Sequence, residues 1–290
     1  MIETVSESWE MEAGAAIAPG RTVLKPLGGG TRYEVFLVWD DKLFSLAVAK
    51  VLRPSYVEDE RALRELGEEA EALERLAHPV IVRGFDAVLD GAHPHLLIEH
   101  LEGPTLRRLI RRHGALPLDQ LLPLAAHVAA ALHYLSAEGW VHLDVKPDNI
   151  VMGVPPRLID LSIAQTVGDA ARVRGAIGTD PYMAPEQCEP AGIGPASDVW
   201  GLGATLHHAV SGSVPFPRSG DERFPQLTER PVPLGDDVPG ALRELIEWTL
   251  AFAPADRPTA AEVVLALEPL VEALPRKLAF AKRGTQWRGA

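Results

Sequence analysis

The residues with the clearest chemical potential lie in one short stretch, residues 142–149, which reads His-Leu-Asp-Val-Lys-Pro-Asp-Asn. It contains a carboxylate that can accept a proton (Asp144), a cation two residues later (Lys146) and an amide whose oxygen can bind a metal (Asn149). A phosphoryl transfer requires these three kinds of group. The simpler alternative is a turn between two core elements, in which Asp144 and Asn149 act only as local turn formers.

Apolar runs flank this stretch on both sides. Residues 132–135 continue a long helical pattern, and residues 150–152 are typical of a short buried strand. A polar loop that is fixed between two core elements is a common location for catalytic groups. The flanking pattern therefore favours a functional loop over a solvated turn.

The amino-acid composition limits the classes of protein to which the chain can belong. The chain has 290 residues, 47% of them apolar, and a mean hydropathy of +0.02, which is enough for a packed core. Its formal net charge of −12 argues against a nucleic-acid partner or an anionic membrane surface. The single cysteine, Cys188, cannot form an internal disulfide and fits a reducing compartment. No apolar run is long enough for membrane insertion and the first 20 residues are acidic, so we expect a cytoplasmic protein.

Alternating apolar residues predict strands after Pro19. The first leads into three glycines, Gly28, Gly29 and Gly30. Four more are predicted over residues 33–39, 43–52, 80–89 and 95–99. The bare amides of a glycine-rich turn can approach phosphate oxygens, although glycines at a hairpin tip can also be simple turn residues.

A lysine and a glutamate in this region could meet. Lys50 ends the buried run of residues 47–49, so its ammonium would emerge from a buried strand, although a lone strand lysine is usually an edge residue. A helix predicted over residues 58–76 carries Glu69 beside its apolar stripe. From that position Glu69 could turn inward towards Lys50.

The rest of the chain is mostly helical, and we predict an α+β protein with two lobes. An N-terminal lobe of five antiparallel strands and one helix (19–99) is joined by a hinge (99–103) to a helical lobe (104–273). Its helices are predicted over residues 106–112, 118–138, 197–211, 240–250 and 259–273.

Two extensions flank these lobes. Residues 1–18 form an acidic extension in which Trp9 and Met11 could dock on the surface. Residues 274–290 form a basic tail, which is either a solubilising end or a tethered pseudo-substrate or autophosphorylation site around Thr285.

These motifs, in this order, resemble those of a eukaryotic-type serine/threonine protein kinase of the kind also found in bacteria. The resemblance covers residues 19–273. The matching motifs are Gly28-Gly29-Gly30 for the glycine-rich loop, Lys50 and Glu69 for the strand–helix ion pair, Glu99-His100-Leu101 for the hinge, residues 142–149 for the catalytic loop, Asp160-Leu161-Ser162 for the metal-binding tripeptide, Ala184-Pro185-Glu186 for the end of the activation segment, and Asp198 and Arg257 for buried polar positions of the helical lobe.

The resemblance implies ATP and Mg²⁺ as cofactors and a role for each matching residue. Asp144 would accept the proton of the substrate hydroxyl, and Lys146 would offset charge on the transferred group. The remaining roles are phosphate positioning by Lys50 held by Glu69, Mg²⁺ binding by Asn149 and Asp160, substrate docking by Thr179, pairing of Glu186 with Arg257, and an ATP pocket lined by Leu27, Gly28, Gly29, Gly30, Val35, Val48, Lys50, Ile98, Glu99, Leu101 and Val151.

Four residues depart from the family pattern. Tyr33 replaces the third glycine of the loop, and Val48 stands where alanine is usual, on the face that would cover adenine. Leu143 replaces the arginine before Asp144, and Ser162 replaces the last glycine of the tripeptide. None of these changes removes a catalytic group. The resemblance therefore implies an active kinase with an unidentified protein substrate or regulatory partner, and the alternative is a pseudokinase that acts as a nucleotide-binding or scaffolding module.

The residue at position 143 affects how the activity of such a kinase would be regulated. In kinases that are activated by phosphorylation of the activation loop, the arginine at this position commonly binds the phosphate. Residues 168–177 contain no Ser, Thr or Tyr. We therefore predict that the loop needs no phosphate and is held by packing around Leu143 and Leu161. The alternative is that Thr166 or Thr179 is a displaced phosphosite that pairs with an arginine of the loop.

Overall fold

The structure is a computed structural model that describes residues 7–218 and 220–274. Its N-terminal lobe is a six-stranded antiparallel sheet with one helix, and the remainder is mainly helical. The spatial order of the strands is β1-β2-β3-β4-β6-β5. They are β1 (Ala16–Ala18), β2 (Arg21–Gly29), β3 (Tyr33–Asp40), β4 (Ser45–Leu52), β5 (Gly84–Val88) and β6 (His95–Glu99).

The sheet has one strand more than the five that the sequence predicts. The extra strand, β1, lies in the predicted acidic extension and pairs with β2 at Ala16 and Thr22. Ile17 is its one large apolar residue and is buried between two alanines. Alanine is depleted in strands, so three residues with one strong strand former gave no alternating pattern.

The strand predicted over residues 80–89 is shorter in the structure, where β5 begins at Gly84. Residues 80–82 are buried as predicted, but Ile81 makes only an isolated bridge to Leu158 of the helical lobe. A continuous apolar run marks a buried segment and does not by itself distinguish a strand from a packed connection.

Helix α1 (Glu60–Arg75) turns Glu69 towards the interior of the N-terminal lobe. The Asp59 carboxylate caps its first turn by accepting hydrogen bonds from two backbone amides. The buried face of α1 contains Ala62, Leu66, Ala72 and Leu73, together with Glu69. A glutamate on an otherwise apolar face needs a charged partner, because an isolated buried carboxylate is strongly disfavoured.

The helical lobe is built around α6, in which every residue from 197 to 210 is buried. A helix that is buried on all sides is the interior element of its lobe. The other helices of this lobe are α2 (Leu106–His113), α3 (Leu118–Ala137), α4 (Val167–Ala170), α5 (Pro185–Cys188), α7 (Gly240–Thr249) and α8 (Ala260–Glu272), and α6 covers Pro195–Ser211. Within the described parts of the chain, no helix is both long and apolar enough to span a bilayer.

Short strands hold the stretch 142–149 at both ends. It lies between β7 (Trp140–Val141), which pairs with β10 (Gln165–Thr166), and β8 (Ile150–Val151), which pairs with β9 (Arg157–Leu158). The linker between the lobes crosses close to β8 at Gly103. A Cβ on Gly103 would lie 2.2 Å from the carbonyl oxygen of Met152, and φ is +128°, so this crossing requires glycine.

Candidate active site

Three of the predicted residues meet at one ammonium group. Lys50 lies on β4, opposite Val35 of β3 and Leu96 of β6. Its Nζ atom is 2.9 and 2.8 Å from the two carboxylate oxygens of Glu69, and 2.8 Å from Oδ1 of Asp160. The strand, the helix α1 and the segment after β9 thus each contribute one charged side chain to the same cluster.

Burial and neighbouring charges act in opposite directions on the pKa values of this cluster. Burial by itself lowers the pKa of Lys50, but Glu69 and Asp160 outweigh it and raise the pKa overall. Burial by itself raises the pKa of Asp160, yet Lys50 holds that pKa well below its usual range. Lys50 is therefore a cation bound to the ionised carboxylate of Asp160, whereas burial raises the pKa of Glu69 in spite of its contact with Lys50.

Asp144, Lys146 and Thr179 form a closed ring of hydrogen bonds. Nζ of Lys146 is 2.5 Å from Oδ2 of Asp144 and donates to Oγ1 of Thr179 at 2.7 Å. The threonine hydroxyl donates in turn to Oδ1 of Asp144 at 2.7 Å. Asp144 therefore already accepts a hydrogen bond from a hydroxyl group, as it is expected to do from the hydroxyl of a substrate.

Asn149 belongs to the same ring through its amide nitrogen. Nδ2 donates to the carbonyl oxygen and to Oδ2 of Asp144, both at 3.0 Å. With its nitrogen engaged in this way, Asn149 has its amide oxygen available for a cation. The second predicted metal ligand, Asp160, contacts Lys50 through Oδ1 and also forms a side-chain hydrogen bond with Ser162.

Two non-glycine residues of the site have left-handed backbone conformations, Leu143 with φ +65° and Asp160 with φ +67°. Such conformations cost of order 1–3 kcal/mol and persist only where surrounding contacts enforce them. At Leu143 the enforcing contact is Asp198 of α6. Its two carboxylate oxygens accept the backbone N–H groups of His142 and Leu143, each at 2.7 Å.

The ion pair predicted between Glu186 and Arg257 is present in the helical lobe. The guanidinium donates to both carboxylate oxygens, at 2.6 and 2.8 Å. It also donates to the backbone carbonyls of Ala196, Ala251 and Phe252. Both side chains are buried, so this pair joins the end of the activation segment to the far side of the lobe.

Tyr33, which stands in place of the third loop glycine, is half-buried and packs against Lys50. Nζ of Lys50 lies 4.6 Å from the centre of its ring, in a cation–π contact. Burial raises the pKa of Tyr33 to about 12, so its hydroxyl stays protonated. The bulk that the sequence predicts in the glycine-rich loop is therefore directed towards Lys50.

The residues predicted to line the ATP pocket occupy neighbouring positions on the sheet and the linker. Gly28 pairs with Val35, Val35 pairs with Lys50, and Val48 pairs with Ile98. Their environments differ along this surface. Leu27 is exposed, Val48 and Val151 are buried, Ile98 and Leu101 are half-buried, and the Glu99 carboxylate is engaged in an ion pair with Arg157.

An apolar cluster packs against the activation segment, residues 160–186. Its buried members are Val141, Leu143, Ala170 and Ile193, and Ile163, Val167, Val173 and Ile177 pack against them. We call these eight residues the activation-segment cluster. Leu161, which the sequence also assigns to this packing, is buried in the main hydrophobic core, which also contains Ala164, Tyr182 and Ala184. Both leucines that the sequence assigns to this packing are therefore buried among apolar residues, and the control of the segment by packing stays a prediction.

Several residues of the site gave no signal in the sequence. Gln187 donates from Nε2 to the carbonyl oxygens of Leu143 and Ile177, at 2.8 and 2.9 Å, and so ties the catalytic loop to the activation segment. The hydroxyl of Tyr182 forms a hydrogen bond of 2.7 Å with Nδ1 of His208 in the interior of the lobe. These contacts join residues far apart in the chain and follow no periodic spacing, so only the fold identifies them.

Comparison with known proteins finds one matching family model and several similar proteins. The protein kinase domain model matches residues 21–266 of the chain. A probable serine/threonine-protein kinase PkwA of Thermomonospora curvata is 33% identical over 254 residues, which is 87% of this chain and 34% of that protein. The serine/threonine-protein kinase PknK of Mycobacterium tuberculosis is 35% identical over 254 residues, covering 83% of this chain and 22% of that protein.

A third relative matches over more of its own length. The serine/threonine-protein kinase PknL of Mycobacterium tuberculosis is 32% identical over 267 residues, which is 88% of this chain and 65% of PknL. The chain therefore spans between 22% and 65% of the length of these three relatives.

Proposed function

The chain belongs to the protein kinase domain family, and we propose that it transfers the γ-phosphate of ATP to a serine or threonine hydroxyl of a protein substrate. The observation that carries this proposal is the contact of one lysine, Lys50, with both Glu69 and Asp160. In this family that ion pair and the metal-binding aspartate must be in place together for phosphoryl transfer. We further propose residues 19–273 as the catalytic unit, flanked by the N-terminal extension and by the tail. Residues 275–290 of that tail lie outside the described part of the chain.

The ring around Asp144 supports its role as proton acceptor. Asp144 and Lys146 are mostly buried, with 11% and 16% of their side chains exposed, so their charges act on a neighbouring group with little screening by water. A substrate hydroxyl that takes up the contact now made by Thr179 would have its proton directed at the carboxylate. The ammonium of Lys146 would then stabilise negative charge on the oxygens of the transferred group.

The protein kinase family uses ATP with a divalent metal, and we propose Mg²⁺. Among residues 7–218 and 220–274, no group of three or more His, Cys, Asp or Glu side chains could hold a metal alone. Asp160 and the amide oxygen of Asn149 fit Mg²⁺, because this ion prefers oxygen ligands and usually takes one or two from the protein with the remainder from water and phosphate. The bound cation would neutralise charge on the phosphates.

The activation segment is proposed to work without a phosphate. The activation-segment cluster supports this proposal, because it buries Leu143 where a phosphate-binding arginine would otherwise stand. The two candidate phosphosites are engaged elsewhere. Thr166 bonds to Asp169 at 2.6 Å and caps α4, and the hydroxyl of Thr179 is part of the ring around Asp144.

One experiment tests the proposed activity. The purified protein is incubated with γ-labelled ATP, Mg²⁺ and a peptide library that contains serine and threonine, beside Asp144→Asn and the neighbouring control Asp148→Asn. We expect label transfer by the wild type and by Asp148→Asn, and a loss of at least about 100-fold in Asp144→Asn, the lower end of what general base catalysis contributes. Equal, background-level labelling by all three proteins would favour the pseudokinase alternative.

A further inference from the structure

An N-terminal strap, residues 7–11, lies on the N-terminal lobe and is anchored by one aromatic side chain. The indole Nε1 of Trp9 donates to the carbonyl oxygen of Leu52 at 2.7 Å, and its ring meets the ring of His93 edge-on with centres 4.5 Å apart. Met11 packs against the core of the sheet. An acidic segment that contacts the lobe only by chance would not hold an indole half-buried with its hydrogen bond satisfied.

Two further polar contacts of the strap are made with a single buried carboxylate, that of Glu34 on β3. Oε1 accepts the hydroxyl of Ser8 at 2.6 Å, and Oε2 accepts the backbone N–H of Trp9 at 2.9 Å. Glu34 is only 8% exposed, and its backbone pairs with Gly29 of the glycine-rich loop. The strap therefore satisfies a buried charge at the base of that loop.

Arg53 connects this carboxylate with the glycine-rich loop itself. Its Nη1 is 3.2 Å from Oε1 of Glu34 and donates to the carbonyl oxygen of Glu7 at 3.3 Å. Its Nε donates to the carbonyl oxygen of Gly30 at 2.8 Å. One guanidinium thus touches the strap, the buried carboxylate and the loop, and only 17% of its side chain is exposed.

We propose that the strap is an intramolecular ligand that positions the glycine-rich loop for ATP, acting through Glu34 and Arg53. This inference rests on the proposed use of ATP. Without the strap, Glu34 loses two of the three donors described here and becomes accessible to water, and the guanidinium loses its contact with Glu7. The guanidinium is then held by a carboxylate that is itself less fixed. Gly30 then loses a fixed anchor, and a glycine-rich loop without one regains a large conformational freedom. Strap binding and loop order are therefore coupled.

Ser8 is the point at which this coupling is most easily broken. Its oxygen lies 2.6 Å from Oε1 of Glu34, so a negative charge at this position would face a buried negative charge. Like charges at such a distance repel strongly when water is partly excluded. An anionic side chain at residue 8 should therefore release the strap, whereas a neutral one of the same size should not.

The test measures hydrogen exchange of residues 28–32 in the nucleotide-free protein, together with the Kd for ATP. The variants are Trp9→Ala and Ser8→Asp. Their controls are Ser8→Asn, which matches the size of aspartate, and Phe44→Ala, which removes an aromatic residue that is 81% exposed on the same lobe. We expect Trp9→Ala and Ser8→Asp to speed exchange in the loop and to weaken ATP binding at least about five-fold, the lower end of typical coupling between sites. The controls should change neither.

A double-mutant cycle identifies the route of the coupling. Arg53→Gln breaks the link to Gly30 and the contact with Glu7, but it leaves the strap bound to Glu34 and Leu52 through Ser8 and Trp9, so adding Trp9→Ala to it should produce little further change in loop exchange. Additive effects, or a folded Trp9→Ala and Ser8→Asp with unchanged loop exchange, would overturn the inference. A wild type that binds no ATP would instead refute the proposed function, and the exchange comparison would still decide whether the strap orders the loop.

Discussion

Replacing Leu143 with alanine should release the activation segment while the protein stays folded. Both residues carry a Cβ, so the cost of the left-handed backbone at this position is the same in the two proteins. The change therefore removes only the apolar contacts of the leucine side chain with the activation-segment cluster.

The size of the effect follows from burial. Leu143 is 3% exposed, and truncating a buried leucine to alanine typically costs about 2–5 kcal/mol. Ala170, Val173 and Ile177 of the activation segment are all members of the cluster, so much of this loss falls on local opening of the segment. A loss of about 2 kcal/mol raises the population of the open segment by about 30-fold, since about 1.4 kcal/mol corresponds to a factor of ten.

Limited trypsin digestion measures this opening, because Arg172 and Arg174 lie in the segment and are exposed. At low protease concentration the cleavage rate follows the equilibrium population of the open form, so cleavage at these two sites should be about 30-fold faster in Leu143→Ala. Leu267→Ala is the matched control. It truncates a fully buried leucine in α8, which belongs to a different cluster, and should lower global stability without a selective effect at these sites.

Two results would refute this reasoning. If Leu143→Ala lowers the free energy of unfolding as Leu267→Ala does but leaves cleavage after Arg172 and Arg174 unchanged, the cluster does not hold the segment. The second result would come from phosphatase treatment followed by mass mapping of residues 160–186 and an activity assay. Loss of activity together with a phosphate from this segment would show that a modification, and not packing, keeps the segment in place.

Three further predictions follow from the site. ATP should raise the melting temperature, more so with Mg²⁺, and Val48→Ala should tighten adenine binding if the buried valine crowds the base; no thermal shift at millimolar ATP would favour an empty scaffold. Burial lowers the pKa of His208 to about 4, below its unfolded value near 6.5, so stability should be full above about pH 6.5 and fall towards pH 4, and urea unfolding of His208→Gln should show a flatter decline. Truncation after Leu274 should raise peptide phosphorylation or abolish autophosphorylation, and no change in either would leave the tail without a regulatory role.

The parts of the fold that could be predicted from sequence are those in which local spacing and tertiary contact agree. Helix α1 has a clear apolar stripe, and Glu69 beside that stripe is buried in the structure. The stretch 142–149 lies between two short buried strands, as its flanking apolar runs indicate. In both cases the residues that matter are close in sequence to the pattern that identifies them.

The parts that could not be predicted depend on contacts between distant segments. Arg53 reaches Gly30 and Glu34 from the end of β4, and Gln187 reaches Leu143 across the helical lobe, but no spacing in the sequence marks either residue. Strand β1 is missed because two of its three residues are alanine. Leu161 illustrates the same limit, since its burial is evident from its apolar neighbours but the cluster that it joins is not.

The contacts that hold the catalytic loop also determine when it can be completed during synthesis. Asp144, Asn149 and Asp160 are all translated before Asp198, whose carboxylate binds the backbone 56 residues earlier at His142. Arg257 is translated later still, 71 residues after its partner Glu186. Because a chain emerges from the ribosome in order, the N-terminal lobe can form while the loop still lacks the residues that fix it. A nascent chain that carries every proposed catalytic residue is therefore still without the arrangement that would make them a site, and that arrangement is completed only after Arg257 has been added.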